Sequence, residues 1–282
     1  MKFAKAHGTG NDFVVLPDPD GALDLTPRLA AALCDRRRGI GADGVLRVVR
    51  SAKHPDAAGV AAEAEWFMDY RNADGSVAEM CGNGVRAYVR YLIESGLVAA
   101  DTTRMDLATR AGVVPVEVGP SLITVTLPRP VVGGDESALV AGMAYAGVVA
   151  SVGNPHLVCP VPDVAALDAL DLSQPPHIDA SVFPDGVNVE FIAAGAPIVG
   201  ADRHVHMRVH ERGSGETLSC GSGACAVAAV VLRESGLDAG SVAVDLPGGR
   251  LAIAFDADLC RLAGPAVVVA TGDVHVSALT GD

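Results

Sequence analysis

Met80-Cys81-Gly82-Asn83-Gly84-Val85-Arg86 and Ser219-Cys220-Gly221-Ser222-Gly223-Ala224-Cys225 each set a cysteine directly before Gly-X-Gly. An apolar, helix-like run follows each motif. Both runs close on the same words, Glu94-Ser95-Gly96-Leu97 and Glu234-Ser235-Gly236-Leu237. The cysteines stand 139 positions apart and the Ser-Gly-Leu endings 140. A further pair, Gly10-Asn11-Asp12-Phe13-Val14-Val15 and Gly153-Asn154-Pro155-His156-Leu157-Val158, repeats at an offset of 143. Matched segments at nearly one offset mark an internal duplication, and the period is too long for a solenoid. Two similar domains follow, with one thiol from each expected to face the other across a shared cleft.

Outward from these motifs, short apolar stretches flank Gly8-Thr9-Gly10-Asn11-Asp12, a strand–turn–strand pattern. Thr26-Pro27 opens a helix with a cap residue and a proline in its first turn. Arg36-Arg37-Arg38-Gly39 reads as the basic last turn of that helix, and Gly39-Ile40-Gly41-Ala42-Asp43-Gly44 as a tight loop entering a strand. The glycine-rich loop lacks the Gly-Lys-Ser/Thr of a phosphate loop. Helix 84–95 follows the first cysteine, and residues 97–127 alternate as strands do. Pro128-Arg129-Pro130 with Gly133-Gly134 is the best linker candidate. The expected division is 1–127 with 266–282 for the Cys81 domain, and 128–265 for the Cys220 domain. Strands are expected at 148–153, 204–210, 241–246, 250–255 and 266–270. The fold class is α/β (α+β).

The 282 residues carry 21 basic and 34 acidic side chains, a formal charge of −13. That field argues against nucleic acid or an anionic membrane as partner. No run of about 18 apolar residues suggests a membrane span, and the first residues lack a secretory signal. The cytoplasm is the expected compartment, with all six cysteines reduced. No Cys-x-x-Cys spacing is present, and no metal site is expected, although His204, His206 and His210 could share one strand face.

A cysteine at a helix N-terminus sits beside N–H groups and a partial positive charge, which favour the thiolate. The same N–H groups can hold a carboxylate. Two such sites would place one sulfur on each face of the adjacent carbon. Inversion of a stereocentre by proton exchange needs that arrangement, and cysteine can act as base or acid. Either cysteine alone reads equally as a buried small hydrophobe; the duplication favours chemistry. Cys34, Cys159, Cys225 and Cys260 have no such setting and belong to the core. Only Lys2, Lys5 and Lys53 could form a pyridoxal Schiff base, and all lie outside the motifs, so no cofactor is expected.

With Gly8-Thr9-Gly10-Asn11-Asp12-Phe13, Tyr70-Arg71-Asn72-Ala73-Asp74-Gly75, Gly153-Asn154-Pro155-His156, Gly186-Val187-Asn188 and Glu211-Arg212-Gly213 added to the cysteine motifs, the chain resembles the diaminopimelate epimerases over nearly its full length. The resemblance implies two pseudo-symmetric domains, each a β-barrel-like sheet around a central helix, with the site in the cleft between them. It implies interconversion of LL- and meso-diaminopimelate without pyridoxal phosphate, and a homodimer. It makes Cys81 and Cys220 the acid/base pair, and gives the reacting carboxylate to the N–H groups of Gly82, Asn83, Gly221 and Ser222. Asn11, Asn72, Asn154, Asn188, Glu211 and Arg212 would hold the rest of the substrate, while His156 and Glu211 would tune the thiols. Asparagine is also common in turns, Glu211-Arg212 could be a surface pair, and His156 could be structural. Gly44 stands where many family members have glutamine. Proline racemases and hydroxyproline epimerases use a similar cysteine pair, and a reversible disulfide is a non-catalytic alternative.

Overall fold

Strands built on alternating or continuous apolar residues are the main regular structure of the chain. In the computed structural model, which describes residues 1–256 and 258–280, they are β1 (Lys2–Gly8), β2 (Asn11–Pro17), β3 (Gly44–Arg50), β4 (Trp66–Asn72), β5 (Arg104–Thr109), β6 (Gly112–Val118), β7 (Ile123–Pro128), β8 (Val131–Val140) and β9 (Met143–Ser151). They continue as β10 (Pro155–Pro160), β11 (His177–Ile178), β12 (Asn188–Ala194), β13 (Arg203–Glu211), β14 (Gly215–Thr217), β15 (Gly240–Leu246), β16 (Gly249–Asp256), β17 (Leu259–Gly264) and β18 (Val267–Asp273). The helices are α1 (Pro27–Cys34), α2 (Gly82–Glu94), α3 (Val164–Asp168), α4 (Gly221–Glu234) and α5 (Val276–Thr280). No helix among the described residues is long and apolar enough to cross a membrane.

The chain forms two compact units, Met1–Val125 with Gly264–Asp282, and Thr126–Ala263. The expected boundaries of 127/128 and 265/266 lie two residues further along at each junction. Residue 257 and the last two residues of the expected 266–282 segment lie outside the described residues.

In the first unit the strands pair in the order β18-β1-β2-β3-β4-β5-β6-β7, with β2–β3 and β4–β5 parallel and the other pairs antiparallel. The second unit repeats this as β8-β9-β10-β12-β13-β15-β16-β17, with β10–β12 and β13–β15 parallel. The register repeats too. Phe13 pairs with Gly44 across β2–β3 and His156 with Asn188 across β10–β12. The duplication read from the cysteine motifs is therefore a duplication of the whole sheet.

Each sheet wraps one helix. α2 packs on β1, β2, β3, β4 and β18, and buries Val85, Ala87, Tyr88, Val89 and Leu92. α4 packs on β8, β9, β10, β12, β13, β15 and β16. Its residues from Gly223 to Val230 are buried on every side, as a helix enclosed by a sheet requires. Both helices stop in a Schellman motif. Gly96 N–H donates to Ile93 and Leu97 N–H to Leu92; Gly236 N–H donates to Arg233 and Leu237 N–H to Leu232. Gly96 and Gly236 have φ of 72° and 70°. That left-handed position explains the repeated Glu-Ser-Gly-Leu ending.

Three sequence expectations change. Gly133 and Gly134 belong to β8, where the register with β9 shifts between Val132 and Asp135, so they relax a bulged strand and link nothing. β17 is a strand beyond those expected; its Cys260, Leu262 and Gly264 are buried between more exposed residues. The three arginines lie beyond α1, which ends at Cys34. Asp35 accepts the N–H groups of Arg37 and Arg38, turning the chain, and Arg36 reaches Asp12 and Asp43.

A buried ion network braces the first unit. Asp69 on β4 is wholly buried, 2.7 Å from Arg110, 3.2 Å from Arg71, and 3.6 Å from Arg47 and His54. Burial alone pushes its carboxyl up, but the arginines and His54 outweigh that and hold it below the usual carboxylate range. A depressed native carboxyl contributes stability above its unfolded value and loses it as pH falls through the native one. Stability should therefore fall with acidification below about pH 4. Asp69→Asn should lose about 3–5 kcal/mol near neutral pH, since it strands buried cations, and should flatten the acid limb. Urea melts across pH check both.

Gly236→Ala meets open space and only a strained φ, so it should cost about 1–2 kcal/mol. Gly75→Ala combines φ of 86° with a collision against the Pro27 carbonyl. It should cost more than about 2 kcal/mol in the same melts.

Candidate active site

Cys81 occupies the N-cap of α2 in extended backbone, φ −145° and ψ 119°. Its sulfur accepts the Gly84 N–H at 3.4 Å. Glycines suit this start because α2 enters the sheet against Leu46 and Phe13; a Cβ at Gly84 would already touch both. Asn11 begins β2 directly after the β1–β2 turn, whose residues Thr9 and Gly10 have φ of 50° and 84°. That hairpin brings Asn11 Oδ1 to 3.6 Å from Cys81 Sγ and 3.3 Å from Asn83 Nδ2. Asn83 Oδ1 accepts from the buried Arg86 at 2.8 Å, and Asn11 Nδ2 donates to Asp43 at 2.8 Å. Asn72, cross-strand from Gly44, donates from its Nδ2 to Ser76 Oγ at 3.0 Å, within the turn after β4. Gly44 has no room for a side chain. A Cβ there would lie 2.6 Å from the Arg71 carbonyl and 2.7 Å from the Tyr70 ring, so the family's glutamine could not stand on this backbone.

Cys220 repeats the design on α4. It is the N-cap, φ −118° and ψ 112°, with its sulfur 3.4 Å from both Gly223 N–H and Ser222 Oγ. The first N–H groups of a helix, here those of Gly221 and Ser222, have no acceptor inside it. Around this thiol the second unit gathers His156, Asn154, Asn188, Glu211 and Glu190. His156 Nδ1 lies 2.6 Å from Glu190 Oε1, and His156 Nε2 lies 3.2 Å from Asn154 Oδ1. Glu190 is wholly buried, with Oε2 unpartnered, and a Cβ on Gly223 would come within 2.6 Å of its Oε1. Burial pushes Glu190 up, against the pull of His156. Asn188 Oδ1 accepts the Arg212 N–H at 2.9 Å. The exposed Arg212 guanidinium donates to the Asp185 carbonyl at 3.1 Å, and Glu211 accepts from Thr217.

The expectation that the helix start lowers the thiol pKa fails for Cys220. Burial pushes it well above the ordinary thiol range, and Glu211 and Glu190 add to that; Ser222 and the Gly223 N–H pull the other way without prevailing. A helix end stabilises an anion by about 0.3–2 kcal/mol, less than burial between carboxylates takes away. Without a ligand to supply positive charge, Cys220 is therefore a thiol. Cys34 and Cys159 are pushed up to about 12 by burial, and Cys225 and Cys260 are buried too.

His204, His206 and Asp245 offer ligand atoms within 4.8 Å of one another. Both nitrogens of His204 are engaged, by the Ala196 carbonyl at 2.7 Å and Asp245 at 2.8 Å. Asp245 accepts a fork from Arg250 at 2.5 and 2.8 Å, which with His204 lowers it to about 2. The set is satisfied by a resident cation, which suits structure better than metal binding. His210 takes no part in the group.

Glu190, Asp43 and Arg86 were not singled out from the sequence. Glu190 hides in the buried run Asn188–Ala193, where only its charge type signals anything. Arg86 is a buried charge within α2, and Asp43 lies in a glycine-rich loop.

Comparison with known proteins bears on both units. A family model described as diaminopimelate epimerase matches residues 3–125 and 148–276. The diaminopimelate epimerase of Streptomyces coelicolor is 51% identical over 291 residues, covering 100% of this chain and 98% of the relative. That of Thermobifida fusca is 52% identical over 284 residues, covering 99% and 100%. Among solved structures, a phenazine biosynthesis protein of the PhzF family from Bacillus anthracis shares the fold, with a TM-score of 0.73 at 18% identity over 98% of this chain and 99% of its own. The chain thus belongs to the diaminopimelate epimerase family, and is an isomerase of the epimerase class.

Proposed function

We propose that the protein interconverts LL- and meso-diaminopimelate by a two-base mechanism in which Cys81 and Cys220 act on opposite faces of one α-carbon. The observation that carries the reading is the repeated construction of the two units. Each enclosed helix begins at a cysteine whose sulfur accepts the N–H of the third helical residue. Family membership supplies the substrate class.

The chemistry balances without an oxidant. A thiolate removes the α-proton, and the electron pair spreads into the adjoining carboxylate. The opposite thiol then delivers a proton to the other face, leaving one thiol and one thiolate with roles exchanged. Backbone N–H groups of Gly82, Asn83, Gly221 and Ser222 hold the reacting carboxylate while charge gathers on it, as an oxyanion hole does. Asn11, Asn72, Asn154, Asn188, Glu211 and Arg212 hold the remainder of the molecule. The distal end is itself an amino acid: Arg212 takes its carboxylate, and Glu211 with the amide oxygens takes its ammonium. A substrate ammonium beside Glu211 would also offset the charge that raises Cys220, so binding would help create the base. His156 and Glu211 would tune the thiols. The reaction would lie on the cytoplasmic route to lysine and peptidoglycan precursors, carried out by a homodimer.

Incubation with LL-diaminopimelate in deuterium oxide tests the scheme. The wild type should incorporate deuterium at the reacting α-carbon as meso product forms. Cys81→Ala and Cys220→Ala should each lose at least about 10²–10⁴-fold in epimerisation with unchanged circular dichroism. Normal turnover in either would refute a two-base mechanism.

Arg212→Ala should raise KM for diaminopimelate about tenfold or more, the worth of a charge-assisted hydrogen bond. Binding of a mono-amino acid should hardly change. Equal losses for both ligands would remove Arg212 from its assigned role.

A further inference from the structure

Beside Cys81 runs a hydrogen-bond chain whose direction is set at both ends. Arg86 is wholly buried on α2, and a guanidinium can only donate. Its Nη2 lies 2.8 Å from Asn83, which must therefore present Oδ1 there and turn Nδ2 away. That Nδ2 meets Asn11 at 3.3 Å. At the far end a carboxylate can only accept. Asp43 Oδ2 takes Asn11 Nδ2 at 2.8 Å and the Asp12 N–H at 3.2 Å, while Oδ1 takes Arg36 at 2.8 Å. An amide is ordinarily ambiguous between its two ends. Here reversing either amide would set donor against donor or oxygen against oxygen at both of its contacts along the chain. The sequence Arg86→Asn83→Asn11→Asp43 has one polarity.

We propose that Asp43 is a positioning residue for Cys81, acting through Asn11: it holds the amide so that a carbonyl oxygen, never an N–H2, faces the thiol. Asn11 Oδ1 is 3.6 Å from Cys81 Sγ and accepts the S–H. An oxygen in that place favours the thiol and opposes the thiolate. The same oxygen is an acceptor ready for a substrate ammonium, and its engagement by that ammonium would release the thiol. Asp12 and Lys5 tie the assembly to β1 and β2, at 2.5 Å from each other, and Arg36 forks onto Asp12 at 2.7 and 3.0 Å. The charged groups gathered about Asn11 are thus Arg86 from α2, Lys5 and Asp12 from β1 and β2, and Asp43 and Arg36 from the loop after α1. The proposal rests on Cys81 being a reacting thiol.

Two variants separate orientation from charge. Asp43→Ala and Asp43→Asn remove the same negative charge, but asparagine retains an oxygen that can accept from Asn11. The rate of Cys81 alkylation by iodoacetamide, read by peptide mass spectrometry across pH without substrate, reports the thiolate. Asp43→Asn should titrate close to wild type. Asp43→Ala should titrate about one pH unit lower, the worth of one hydrogen bond to the thiol. Identical curves for the two variants would overturn the proposal. Neutron diffraction on wild-type crystals gives a second reading that needs no variant. Deuterons should sit on the Asn11 atom facing Asp43, and one on Cys81 Sγ pointing at Asn11; deuterons on the Asn11 atom facing Cys81 would overturn it. Neither measurement uses turnover, so a failure of the epimerase reading would show in the deuterium-incorporation assay and leave these results standing.

Discussion

A sulfur closing the open end of a buried helix is the interaction on which the site depends. Each enclosed helix must begin inside the sheet that wraps it, and its first N–H groups have no helical acceptor. Cysteine serves as cap with a side chain that can also carry a proton. Serine or aspartate would cap at least as well, but neither has a proton affinity suited to removing an α-proton near neutral pH. The glycines that follow let the helix start lie close against the strands. In the proposed two-base reaction, structural need and chemical need would thus converge on one residue in each unit.

The two halves share a sheet order and differ in how they manage charge around that residue. In the first unit, polar contacts on the thiol side run through amides anchored by Arg86 and Asp43. In the second, a buried His156–Glu190 pair stands behind Asn154, and Glu211 adds a further carboxylate. Gly44 and Asn188 hold matching register positions, yet only Asn188 has a side chain to offer. Duplication has preserved the frame while the polar lining has diverged.

The frame was legible in the sequence because its requirements are local. Cys-Gly-X-Gly announces a tight capped helix start, and Ser-Gly-Leu a Schellman end, since few other residues accept those backbone positions. The polar lining was less legible. Glu190 sits inside a run that reads as plain buried strand, and its partner His156 comes from a strand distant in sequence; Arg86 is buried against Thr9, far off in the chain, as well as against its helix neighbour Asn83. The sign of the Cys220 perturbation is hidden from the sequence for a related reason. The dipole is visible in the motif, whereas burial between Glu190 and Glu211 exists only once β12, β13 and α4 have packed. Gly133-Gly134 misled because paired glycines suit a bulge as well as a linker.

The placement of β18 has a consequence for biogenesis. The first unit borrows its edge strand from beyond the whole second unit: β18 lies against β1, and Met1 and Val274 exchange backbone hydrogen bonds. The second unit is built from one continuous stretch. During translation the later-made half can close its sheet as soon as it emerges, while the earlier-made half waits with β1 unpaired on one edge. Until then that edge is a template for stray pairing, so vectorial synthesis leaves the amino-terminal half exposed to chaperones longest.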